Sequence, residues 1–103
     1  MIPPTQIFLN KTGTGTSSAV HYPNSINVTA FLNLTYGATP TITVKLEGSM
    51  DNQNWLELAT GTFTSGTPQK LVKPSNEYYQ FYRLNITVNT NVTIVSAYIG
   101  GNG

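Results

Sequence analysis

The sequence has no cysteine. That excludes a disulfide framework, a zinc–thiolate site and a cysteine nucleophile. Charge is almost as scarce: five Lys/Arg and four Asp/Glu make 9% of 103 residues and leave a net charge of +1, where an ordinary soluble domain carries about 25%. The basic residues Lys11, Lys45, Lys70, Lys73 and Arg83 are spread along the chain. They form no basic stripe of the kind that nucleic-acid binding requires, so no nucleic-acid partner is expected. His21 is the only histidine and Asp51 the only aspartate. No nucleophile elbow, H-E-x-x-H or P-loop is present. A catalytic triad would have to combine His21 with Glu47, Glu57 or Glu77, and Glu47 and Glu57 fall at solvent-facing strand positions. The expectation is a protein that is not an enzyme, with no catalytic residues, metal site or cofactor. Apolar runs stop at two or three residues, so no membrane-spanning helix is expected. Neither a basic n-region nor an apolar h-region follows Met1, which predicts synthesis in the cytosol without a cleaved leader.

What the chain does contain is Thr (16), Asn (11) and Ser (7), a third of all positions, set in a two-residue rhythm. From Ser25 to Tyr36 the even positions are Ile26, Val28, Ala30, Leu32, Leu34 and Tyr36. The odd positions are polar except for Phe31. Period two over twelve residues predicts a strand with one buried and one wet face. Gly37-Ala38-Thr39-Pro40 reads as a turn. Ile42, Val44 and Leu46 continue the inward pattern, and Gly48 to Asn54 is turn chemistry before a strand that returns from Trp55 to Ala59. Short strands follow through Phe63 and over Gln69–Lys73. Tyr82, Leu84, Ile86 and Val88 share one face of a second long strand, Asn89-Thr90-Asn91 reverses it, and Val92–Ile99 returns. Residues 1–103 thus read as one domain: an all-β, antiparallel sandwich of seven to eight strands, jelly-roll or immunoglobulin-like. Residues 1–18 read as an N-terminal arm or edge strand, with Pro3-Pro4 favouring extended backbone, followed by a flexible Gly/Thr/Ser loop over Lys11–Ser18.

Two groups of residues are candidates for binding. Trp55, Tyr78 and Tyr79 could stack on a sugar or face a partner, although the alternation also allows Trp55 and Tyr82 to plug the core while Tyr79 and Phe81 pack beneath a loop. Ile2, Ile7, Phe8 and Leu9 could anchor an extended arm on a neighbouring sheet edge, or form the first strand of this domain's own sheet. Asp51, Asn52 and Asn54 offer oxygen ligands in one loop, but their spacing is not that of an EF-hand, and shaping the turn accounts for them. Five N-x-[ST] triplets, at Asn10, Asn27, Asn33, Asn85 and Asn91, follow from polar residues at i and i+2 in half-buried strands; they are expected to be unmodified.

The phrase Val44-Lys45-Leu46-Glu47-Gly48-Ser49-Met50-Asp51-Asn52-Gln53-Asn54-Trp55, with Tyr82-Arg83-Leu84-Asn85-Ile86-Thr87 and the closing strand, resembles two groups of sandwiches. One is the discoidin-like (F5/8 type C) domains that bind sugars or lipids. The other is the small structural proteins of phage virions, of the decoration, cement or tail-module kind, which the short, cysteine-free chain resembles more. That resemblance implies a virion protein that binds a major capsid or tail protein across neighbouring subunits and stabilises the shell, itself a homo-oligomer, with a trimer the expected number. A carbohydrate-binding module is the alternative. No catalytic residue carries over from either group.

Overall fold

Two long strands with period-two alternation need something to cover their apolar faces. The computed structural model describes residues 2–23 and 25–102, with Ile2 and Pro3 described by backbone alone. Seven strands form one antiparallel sheet: β1 (Ile2–Lys11), β2 (Gly15–Thr16), β3 (Val20–His21), β4 (Asn27–Ser49), β5 (Trp55–Phe63), β6 (Gln69–Val72) and β7 (Phe81–Asn102). The all-β antiparallel class and the strand number are those the alternation predicts.

β4 is 23 residues long and β7 is 22. At about 3.3 Å per residue a straight β4 would reach about 76 Å, yet the longest dimension of the molecule is 40 Å. Both strands therefore fold over. They stay paired with each other throughout, from Asn27↔Asn102 to Ser49↔Phe81. Between Tyr36↔Val92 and Thr41↔Thr90, residues 37–40 stand opposite Asn91 alone. Thr39 and Asn91 adopt left-handed backbone, with φ of 46° and 55°, and Asn91 Nδ2 donates to the Ala38 carbonyl at 2.7 Å. A Cβ on Gly37 would sit 3.1 Å from the Asn91 carbonyl oxygen, so the close approach there favours glycine. The turn residues at 37–40 and 89–91 are thus two sides of one corner. The sequence reading ended strands at Tyr36 and Val88; in the structure both strands run through the corner, because each keeps its partner across it.

The corner creates two layers. One contains β1, residues 92–102 of β7, residues 27–36 of β4, and β6; the other contains β2, β3, residues 81–90, residues 41–49, and β5. Val28, Ala30, Leu32 and Leu34 from the first and Ile42, Val44 and Leu46 from the second belong to one buried cluster. Each large aliphatic side chain so buried contributes about 1.5–3 kcal/mol. Tyr22 links the layers: its hydroxyl donates to the Ile99 carbonyl at 2.8 Å and accepts from Thr5 Oγ1 at 2.9 Å, and its ring centroid lies 6.4 Å from that of Tyr82.

Two slips in register move residues off their expected face. Leu34 pairs with Ile94 and Asn33 with Ser96, so Val95 bulges out, and Ala97 and Ile99 take over the inward phase. Val44 pairs with Ile86 and Thr43 with Val88, which turns Val88 outward and leaves it exposed rather than inward with Ile86; a single extra residue reverses the side-chain phase. Ile26 precedes β4 and is exposed as well.

The N-terminal segment is an edge strand along this chain's own β7, from Ile2↔Gly101 to Lys11↔Ile94. The stretch expected to be a flexible loop over Lys11–Ser18 is pinned in part. β2 pairs with Asn85 and Ile86, and Ser17 is buried, donating its amide to the Leu84 carbonyl at 2.8 Å while its Oγ accepts from the Leu84 amide at 3.0 Å. A serine hydroxyl supplies there the acceptor that a strand backbone would otherwise provide.

Candidate functional site

The two layers turn different surfaces outward. On the outer face of the second layer, β4, β5 and β7 bring four charged side chains together. Lys45 Nζ meets Glu57 Oε1 at 2.9 Å, and Arg83 Nε donates to Glu47 Oε1 at 2.8 Å. Asn85 Nδ2 donates to Glu47 Oε2 at 3.2 Å. The Lys45 ammonium holds the Glu57 carboxyl below its ordinary value, and Glu57 in turn raises Lys45. Glu47 lies on the outward side, as its position in the alternation predicts, but it is not solvated: only 11% of its side chain is exposed. Arg83 shields it, and the guanidinium carbon sits 4.1 Å from the centroid of the Trp55 ring, a cation–π contact. Beyond it His21 stacks on Phe81 at 4.7 Å. These groups satisfy one another.

The loop after β4 is held by Asp51. Its Oδ1 accepts from Ser49 Oγ at 3.0 Å, the Gln53 amide at 2.9 Å and the Asn54 amide at 2.8 Å, and Oδ2 accepts from Asn54 Nδ2 at 2.7 Å. The amides of Asp51 and Asn52 donate to Ser49 Oγ. The turn's own donors therefore occupy this carboxylate, led by those of Asn54, and hold its pKa far below the usual carboxylate range. A folded pKa below the unfolded one stabilises the loop above the unfolded value and loses that contribution as pH falls through the folded one. Protection of the Gln53 and Asn54 amides, measured as exchange relative to the intrinsic rate at each pH, should persist down to about pH 4, the ordinary aspartate value, and fall only in stronger acid; Asp51→Ala should abolish that protection at every pH. Protection that is already lost between about pH 6 and 4 would contradict this.

The aromatic candidates separate. Trp55 and Tyr79 line a common cavity of about 310 Å³ with Met50 and Leu56 at this end of the sandwich, while Tyr78 is exposed and bonded to Gln80. Trp55 is half-buried, with Arg83 against its ring; Tyr82 alone of the proposed core pair is fully buried. Tyr79 packs inward over Gly48, where a Cβ would approach its Cγ to 2.9 Å, and its hydroxyl donates to Glu77 Oε1 at 2.7 Å. The arm candidates separate too. Phe8 is buried in this chain's core and Ile7 packs against it, Leu9 projects outward, 68% exposed, and the side chain of Ile2 lies outside the described residues.

The outer face of the first layer is different again. Cross-strand pairs place Gln6, Tyr98, Phe31 and Lys70 in one row, and Gly100, Thr29 and Val72 in the next. Pro4, Thr29, Phe31, Tyr98 and Gly100 line a shallow cavity of about 430 Å³. Phe31, Val72 and Leu9 are all exposed, and Lys70 is the single charge in these rows. Phe31 is the residue that breaks the polar phase of Ser25–Tyr36, and Leu9 is one of the arm candidates; the sequence does not mark Pro4, Tyr98 and Val72, because their grouping depends on which strands pair.

The chain matches no known family model, and no curated protein matches it.

Proposed function

We propose that this protein is a structural component of a virion, a decoration or cement protein that docks on a major capsid or tail protein and acts in many copies. The observation that carries the reading is the contrast between the two outer faces. One holds Lys45, Glu47, Glu57 and Arg83; the other exposes Phe31, Val72 and Leu9 around an apolar hollow with Lys70 as its one charge. Aromatic enrichment with charge depletion characterises the centre of a protein interface, and large apolar side chains exposed on one face point to a docking surface. A protein that binds only the assembled shell stabilises it by mass action, and many copies multiply a modest contact. The sugar-binding alternative is less well supported, since Arg83 covers Trp55 and the turn consumes Asp51.

The test is a density gradient of particles produced from a genome that carries this gene. The chain is expected to migrate with capsids or tails, in many copies per particle. Recovery solely at the top of the gradient, with intact particles below, would overturn the reading.

A further inference from the structure

The neutral face carries a raised apolar side chain next to an apolar hollow. Leu9 is the most exposed large hydrophobic among the described residues, at 68%. It pairs with Ser96, two residues along β7 from Tyr98, whose ring lines the hollow. Gly100 has no side chain to fill the hollow: an added Cβ there would be in van der Waals contact with Pro4, at 3.8 Å. Knob and hollow on one face satisfy the condition for an isologous contact. A two-fold axis lying in the face, midway between them, sets Leu9 of each copy over the hollow of the other.

The geometry points to a second copy of this chain as the occupant of the neutral face, with Leu9 of each protomer seated among Pro4, Phe31, Tyr98 and Gly100 of its partner. This rests on the reading that the face docks protein and assigns it, in the free chain, to a second copy; a capsid or tail protein that takes the same face on a particle must displace that copy. Charge favours it. Packing a face on its own copy confronts like with like, which is harmless where Lys70 at the β6 edge is the one charge; on the other layer the same operation would bring together two sets of four charged side chains. Area sets the strength. Four strands about 4.8 Å apart and about six residues long give a footprint of about 400 Å² per copy. Two such footprints, about 800 Å² in total, fall below the 1,200–2,000 Å² of stable complexes. A contact of that size belongs to the weak, transient class, with a dissociation constant in the micromolar range or weaker.

Sedimentation equilibrium of the full chain, from about 1 to about 300 µM so as to cover that range, tests this. The mass should rise from 11.2 kDa towards twice that value. Leu9→Glu should stay monomeric throughout, with an unchanged melting temperature because the side chain is exposed; Phe31→Lys should do the same. Thr87→Glu, exposed on the other layer, should dimerise like the parent. A parent that stays monomeric, a trimer, a Leu9→Glu and Phe31→Lys pair that still dimerises, or a Thr87→Glu that does not would each overturn the assignment. Failure here with the chain still migrating on particles leaves the virion reading in place; a sound dimer absent from particles removes that reading and keeps this one.

Discussion

Replacing Arg83 with methionine should destabilise the protein by about 2–3 kcal/mol, because it leaves Glu47 shielded from water with its main partner gone. Exposed ion pairs contribute 0–1 kcal/mol, and fully buried ones cost about 3–5 kcal/mol when broken. With side-chain exposures of 11% for Glu47 and 23% for Arg83, this pair sits nearer the buried limit. Asn85 alone remains to hold one carboxylate oxygen. For a domain of this size the loss corresponds to about 10–20 °C in Tm. The informative variant is the double one. Arg83→Met with Glu47→Gln removes both charges, and should recover to within about 1 kcal/mol of the parent, since buried pairs are often replaceable by uncharged groups. Urea midpoints of the two single variants and the double give the coupling directly. An Arg83→Met chain as stable as the parent would mean that Glu47 is hydrated after all.

Tyr82→Ala should cost more, about 4 kcal/mol. Tyr82 is fully buried in the second layer and faces Tyr22, which bonds to the first; Tyr79 meets it edge-on at 6.3 Å. Its hydroxyl also accepts the Tyr79 amide at 3.2 Å. Against a total stability of about 5–15 kcal/mol for a domain of this kind, the loss is a quarter or more of the whole, and the melting temperature should fall by about 15–30 °C. Tyr82→Phe keeps the ring and loses the acceptor, so about 1 kcal/mol is expected. Thermal melts followed by near-ultraviolet circular dichroism distinguish the two. Equal losses for Phe and Ala would shift the weight from packing to that hydrogen bond.

The class of fold was legible because burial on one side imposes period two, and Val28, Ala30, Leu32, Leu34, Ile42, Val44 and Leu46 carry that period without error. Its path was not. Gly37–Pro40 and Asn89–Asn91 have the composition of turns, and turn chemistry states that the chain bends, not whether the neighbour across the bend bends with it. Val88 and the bulged Val95 escaped for a related reason: a register slip is a property of two strands, and alternation is read along one. Glu47 was assigned correctly to the outer side and wrongly to water, since its partners are Arg83 and Asn85, 36 and 38 residues ahead in another strand. The Asp51 turn was readable because Ser49, Asp51 and Asn54 act within one loop. Of the neutral face, Phe31 was visible as an apolar residue in a polar phase, and Leu9 as a candidate anchor of the N-terminal arm.

The folded ribbon also governs when this protein can begin to exist. β4 is the spine of both layers, and its long partner, β7, begins at residue 81. Asn27 waits for Asn102, and even the near end of the ladder, Ser49, waits for Phe81. During synthesis, β4 can find β5 and β6 early, but it holds the apolar side of a half-made sheet open until the last fifth of these residues arrives. Pairing at such sequence separation is slow, and exposed strand edges in a half-made sheet invite association. A chain with so few charges has little repulsion to keep its nascent copies apart, so its yield in a cell depends on how quickly residues 81–102 follow the rest.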